Sequence, residues 1–247
     1  MTIEGLKLAG FDIESTGPNP LKDRIVTANL TYAEVVDGEL KVTGSQSWLL
    51  DPEIEIPAEA AAIHGISTEQ AQADGGDYEE GVFEIADSIA SANKDGRTVV
   101  IFNANFDLTM LASEYRRVSG NDAPLPPDLI VDPYVIDKGV DKFRKGSRKL
   151  VDVARHYGIE LVGAHTAEGD VAATIQLAVK VLQIPKVAAK FPDEIMATQV
   201  LSYRLQQEGL AEYWRKKASR MQNTDPEEAA ELRERADGVR TDWPVAM

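Results

Sequence analysis

No cysteine occurs in the 247-residue chain, which excludes disulfides, thiolate zinc sites and cysteine nucleophiles together. That absence fits a reducing compartment, and the cytoplasm is the expected location. Long apolar runs are also missing. The patch within the first ten residues is too short for a signal peptide, and no stretch has the length needed to cross a bilayer, so no membrane partner is expected. Cations are outnumbered, with 26 Lys and Arg against 41 Asp and Glu and a net charge of −15. A chain of that balance does not coat nucleic acid through a broad basic surface, because phosphate neutralisation supplies most non-specific affinity. It can still grip a few phosphates. Histidine is limited to three residues and no G-x-S-x-G motif occurs, so a Ser-His-Asp triad has no visible basis.

The cations that are present cluster. Lys138, Lys142, Arg144, Lys145, Arg148 and Lys149 fall in one stretch, and Arg215, Lys216, Lys217 and Arg220 in another. Each reads either as a solvated face or as an anion-binding one, and the first precedes an expected helix. With 43% hydrophobic residues, the chain has material for one substantial core and an appendage.

Leu6 to Asp12 reads as a strand, and the runs Ile25 to Val36 and Leu40 to Leu50 read as two more, antiparallel because their connections are short. Apolar residues at helical spacing predict a helix over Tyr78 to Asn93, a second through Leu108, Leu111 and Tyr115, a third through Leu150 and Val153, and a fourth from Val171 to Leu182. Thr98 to Phe102 and Leu129 to Asp132 read as short buried strands between them. Three strands followed by alternating helices and strands suit a mixed five-stranded α/β sheet flanked by helices, not the uniform alternation of a dinucleotide-binding fold. Beyond Pro185 the pattern changes. Met196, Val200, Tyr203, Leu210 and Trp214 trace one face of a long helix, and Pro226 to Ala236 is a charged helical run. Residues 1–185 are the expected catalytic domain and 186–247 a helical extension packed on it.

Asp12 and Glu14 stand two apart at the end of the first strand, so they share a face, and Gly17 lets the backbone turn closely around a ligand. The pair can hold a hard cation or form a solvated edge. Asp107 opens the second helix and Asp170 the fourth, where acids are favoured by the helix dipole whatever their function. His165 lies five residues before Asp170. His64 either touches a ligand or caps the loop before Thr68, and His156 reads as structural.

Asp12-Ile13-Glu14-Ser15-Thr16-Gly17, Asn103-Ala104-Asn105-Phe106-Asp107 and His165-Thr166-Ala167-Glu168-Gly169-Asp170 resemble, in order and spacing, the three motifs of the DnaQ-like (DEDD) 3′-to-5′ exonucleases, in their histidine subclass. The segments Ile56 to Ser67 and Val131 to Tyr134 resemble that family too. Phe102 departs from it, since many relatives carry His there. The resemblance implies a ribonuclease-H-like fold, with Asp12, Glu14, Asp107 and Asp170 as ligands of two divalent cations, Mg²⁺ or Mn²⁺, and His165 as the base that activates water. Such ions, about 3.5 to 4 Å apart, clamp a scissile phosphate between attacking and leaving oxygens. Ile13, the backbone at Thr16 and Gly17, His64, Asn103 and Phe106 are then expected at the terminal nucleotide, and Lys145, Arg148 and Lys149 at phosphates upstream.

Three readings follow. The first is an exonuclease acting on 3′ ends of single-stranded DNA in replication or repair and releasing 5′-mononucleotides. The second is a ribonuclease with the same catalytic set, trimming RNA or oligoribonucleotides. The third, of another class, is an interaction subunit contacting a polymerase or another replication or repair partner. Filled catalytic positions speak against the third.

Overall fold

The structure is a computed structural model describing residues 3–161 and 166–246. Its centre is β1 (Lys7–Ser15), where Leu8, Ala9 and Phe11 are fully buried because both faces of the strand are covered. β2 (Ile25–Val36) pairs with it antiparallel and β3 (Glu39–Leu49) pairs with β2 antiparallel, as the short turns between them require. The chain then crosses over through α1 (Ala58–His64), α2 (Thr68–Asp74) and α3 (Tyr78–Lys94) to β4 (Thr98–Val100), parallel to β1 on its other side. α4 (Ala104–Ser119) leads to β5 (Ile130–Val131), parallel to β4. The sheet order is β3-β2-β1-β4-β5, the mixed five-stranded arrangement expected.

After β5 come α5 (Pro133–Val140), α6 (Leu150–His156), α7 (Ala167–Leu182), α8 (Pro185–Ala188), α9 (Ile195–Met221) and α10 (Pro226–Asp237). Period-two alternation sorts the layers. Ala9, Phe11 and Ile13 pack with Val82, Ile85 and Ile89 of α3 and Leu108 and Leu111 of α4, whereas Leu8, Val100 and Val131 pack with Val171, Ile175 and Ala178 of α7. The helices expected around Tyr78, Leu108, Leu150 and Val171 are all present. Two strands are shorter than expected: β4 ends at Val100, and β5 holds only two residues.

α9 closes the open edge of β5. Leu129 and Val131 carbonyls accept from Val99 on β4 and from Ile101 just beyond its end, so the Ile130 carbonyl and the Asp132 amide face outward. Gln199 meets both, its Nε2 donating to Ile130 O at 2.8 Å and its Oε1 accepting from Asp132 N at 2.7 Å. A side-chain amide thus satisfies backbone groups that an added strand would otherwise take. Met196, Val200 and Tyr203 pack on the core as their spacing predicted, while Leu210 is partly exposed and Trp214 joins Ala218, Ala229 and Leu232 between α9 and α10. No helix among the described residues is long and apolar enough to cross a membrane.

Candidate active site

β1, β4 and β5 run parallel, and the chain segments leaving their carboxyl ends converge, the usual place for a site in a sheet of this kind. Asp12 and Glu14 continue the Leu8 and Gly10 face of β1 toward α7. A Cβ at Gly10 would lie 2.5 Å from Ile175 Cγ1, so glycine is what permits α7 to press this closely on the strand. The first turn of α7, capped by Thr166 through a 3.1 Å bond from Gly169 N, carries Asp170 to the pair. One carboxylate oxygen each from Asp12, Glu14 and Asp170 lies within 4.8 Å of the other two.

Asp107 comes from the opposite layer. Asn103 adopts a left-handed conformation (φ 64°, ψ 48°), uncommon for a residue other than glycine. Asp132 holds it there by accepting from Asn103 N at 3.0 Å and Ala104 N at 2.9 Å, while its Oδ1 also caps α5 through Tyr134 N. α4 therefore starts at a fixed point, and Asp107, in its first turn, accepts from Ile13 N at 3.0 Å. Four acids from three elements are so gathered at one end of the sheet.

Their electrostatics are mutually unfavourable. Burial, then the charges of Asp107, Glu14 and Asp170, push Asp12 well above the usual carboxylate range. Burial and then Asp170 raise Glu14 to about 7. Burial raises Asp107 as well, against the opposing pull of its own and the Ile13 backbone N–H groups. A cluster of mutually repelling hard oxygen donors fits a divalent cation, whose charge would lower every one of these values.

Two cavities flank the acids and share Ile13 and Phe106. One, about 610 Å³, is mostly apolar and bounded by Glu14, Gly17, Ile63 and His64. The other, about 440 Å³, is bounded by Asp12, Asn103, Asp107, Tyr134, Arg148 and Lys149. His64 takes the loop-holding role of the two that its sequence context left open, and it also lies in a cavity wall. Its Nδ1 accepts from Ile66 N at 3.2 Å, holding the loop, while the residue lines the first cavity with its Nε2 buried beneath the surface. Burial lowers its pKa, against a smaller pull from the Ser15 backbone, so the neutral ring is favoured with its proton on Nε2. Thr16 is turned inward, its Oγ1 accepting from Arg24 N at 2.9 Å, and a Cβ at Gly17 would lie 2.6 Å from the Asp23 carboxylate.

The basic stretch divides. Arg144 donates to the fully buried Asp137 at 2.7 Å, Arg148 donates to the same oxygen, and Tyr157 bonds its other oxygen at 3.1 Å. Arg148 thus lines the second cavity as part of a buried ion cluster, whereas Lys149 is exposed there. His165 lies outside the described residues. Sequence reasoning did not single out Asp132, although an Asp before Pro133 is a legible helix cap. It also missed Trp243, whose indole Nε1 reaches Asp132 Oδ2 at 3.4 Å, and the bonds of Asn105 to Tyr203 and to the Asp242 carbonyl. No local signal marks these.

A family model described as exonuclease, of the RNase T type, matches residues 9–178. The chain belongs to this family. The resemblance carried by the three motifs is borne out by that match. A 3′-5′ exonuclease DinG from Staphylococcus saprophyticus is 28% identical over 169 residues, 68% of this chain but 17% of the relative. A structure of exonuclease I has a TM-score of 0.61 at 20% identity, over 78% of this chain and 45% of that one. Escherichia coli exonuclease I in complex with a dT13 oligonucleotide has a TM-score of 0.57 at 21% identity, over 81% and 44%. A full-length 3′-exonuclease has a TM-score of 0.59 at 15% identity, over 73% and 61%. The exonuclease chain thus spans less than half of exonuclease I and about a sixth of the staphylococcal relative; at these identities the structures speak for the fold, which is the ribonuclease-H-like one.

Proposed function

We propose that this exonuclease removes nucleotides one at a time from the 3′ end of single-stranded DNA, releasing 5′-mononucleotides, through two divalent cations held by Asp12, Glu14, Asp107 and Asp170. The observation that carries this reading is the pair of cavities meeting at Ile13 and Phe106 beside the acids. The apolar one suits a terminal nucleoside, with Phe106 beside the base and the His64 ring in the cavity wall. The polar one suits the phosphate and the strand leading away from it. Polarity is supported by the relative described as a 3′-5′ exonuclease, and a DNA substrate by the exonuclease I complex with dT13.

Asp12, Glu14 and Asp170 would hold one cation, and Asp107 with Asp12 a second. When bound, such ions neutralise phosphate charge and acidify water. His165 takes the proton from the attacking water at its imidazole nitrogen. Asp132 maintains the α4 start from which Asn103, Phe106 and Asp107 project, and Lys149 offsets phosphate charge in the groove, whose wall Arg148 forms. Residues 1–185 form the exonuclease domain, and 186–247 an extension that supports it through Gln199, Tyr203 and Trp243.

The test uses 5′-labelled single-stranded DNA and RNA of matched sequence, with Mg²⁺ or excess chelator, with free and blocked 3′ ends. A ladder from unblocked DNA that needs Mg²⁺ is expected. Undiminished cleavage in chelator, or internal fragments released early from the blocked strand, would overturn the proposal, and faster cleavage of RNA would reassign the substrate.

A further inference from the structure

We propose that Lys142, Phe143 and Lys145 form a second contact for single-stranded nucleic acid, upstream of the nucleotide being removed; this rests on the exonuclease reading and adds to it a subsite that sets grip on longer strands. Phe143 is 87% exposed, the most exposed large apolar side chain among the described residues. Its surroundings are cationic: Lys142 Nζ lies 5.9 Å from the ring centroid, and Lys142, Lys145 and Lys149 are exposed. The two arginines of the loop are not. They are spent on the buried Asp137, and Arg148 also donates from Nη2 to the carbonyls of Asp141 and Arg144.

Those bonds have a positional consequence. Arg148 lines the cavity that holds Asp12 and Asp107, so the backbone on either side of Phe143 is tied directly to the wall of the groove. The loop presents outward an aromatic ring flanked by two exposed lysines, on a chain of net charge −15. An exposed ring costs solvation, which the Lys142 ammonium 5.9 Å away offsets only in part. A base stacked on it, with flanking phosphates at the lysines, removes that cost, and such stacking is indifferent to sequence because every base has a π-face. Charge complementarity selects a polyanion as the occupant.

The experiment measures binding by fluorescence anisotropy, in chelator, of a trinucleotide and of an oligonucleotide of about twenty nucleotides to the full chain and to Phe143→Ala, Phe143→Trp and Lys142→Ala/Lys145→Ala. Phe143→Ala should weaken the long strand roughly five- to a hundred-fold, the usual worth of one stacked base, with a much smaller penalty on the trinucleotide, and Phe143→Trp should restore it. The double lysine variant should shrink the log–log salt slope by about 1.4, from two lost phosphate contacts on a single strand. A penalty equal at both lengths, an unchanged affinity in Phe143→Ala, or no rescue by Trp would overturn the subsite. Mg²⁺-dependent shortening by the unaltered chain, measured in parallel, tests the exonuclease reading separately, since binding in chelator does not depend on cleavage.

Discussion

Ile13 N–H donates to Asp107 Oδ1 at 3.0 Å across 94 positions of sequence, joining the end of β1 to the first turn of α4 in a buried bond. It occupies one oxygen of Asp107 with a structural partner and leaves the other for the acid cluster. Asp107→Asn should therefore keep the fold, because the amide oxygen still accepts from Ile13, while activity falls by about a hundred-fold or more through loss of a cation ligand. Its metal-free melting temperature should not drop, since one repelling charge is gone. Thermal melts alongside single-turnover cleavage check both, and a variant that unfolds would show that the charge itself is structural.

The raised carboxylates make metal-free stability fall with pH. A group whose pKa is higher when folded binds its proton more tightly in the folded state, so its contribution is present below the unfolded value and is lost as pH rises through the folded one. For Glu14 that window runs from 4.5 to about 7, and buried Asp132, raised to about 6, contributes with the same sign. Chelated protein should melt lower at pH 8 than at pH 5. Mg²⁺ should narrow the gap and Glu14→Gln should reduce it. A metal-free melting temperature that climbs between those pH values would contradict the assignment.

His165 and Asp170 should fail differently. His165→Ala is expected to retain cation affinity and to slow the chemical step by roughly 10² to 10⁴, with recovery as pH rises and hydroxide replaces the missing base. Asp170→Ala, on the proposed assignment, should remove a ligand, so that cation affinity falls and alkaline pH restores nothing. Mn²⁺ titration of both variants at several pH values separates the roles. Equal loss of affinity in the two would make His165 a ligand or a support.

The segment that follows α10 should matter to the site it lies behind. Trp243 is buried against Asp132, and Ala246 N donates to Thr109 Oγ1 at 2.8 Å. Trp243→Ala should cost roughly 3 to 5 kcal/mol from the lost burial. Gln199→Ala, which leaves the outward groups of β5 unpaired, should cost about 1 to 3 kcal/mol. Trp243→Phe, keeping most of the buried apolar surface but losing the indole bond, should cost less. Urea unfolding measures all three, and an unchanged midpoint for Trp243→Ala would mean that this segment docks only loosely.

Patterns confined to one element were readable from the chain alone. Alternation put Asp12 and Glu14 on one face of β1 because side chains repeat every two residues, and apolar spacing located α3, α4, α6, α7 and α9 because their buried stripes repeat every 3.6. Short antiparallel connections ordered the first three strands, and the motif order pointed to the acids that belong together. The helices α1, α2 and α5 were not read as such. Segments of seven or eight residues do not stand alone as helices, since nucleation is too costly for so few bonds, and these are held by their packing. What joins distant positions was decided only by tertiary structure: Asp107 on Ile13, Gln199 along the edge of β5, Trp243 on Asp132, and Arg148 turned inward to Asp137 while Phe143 faces solvent. In each case the partner's free energy comes from a neighbour many residues away, so no window of sequence contains the reason.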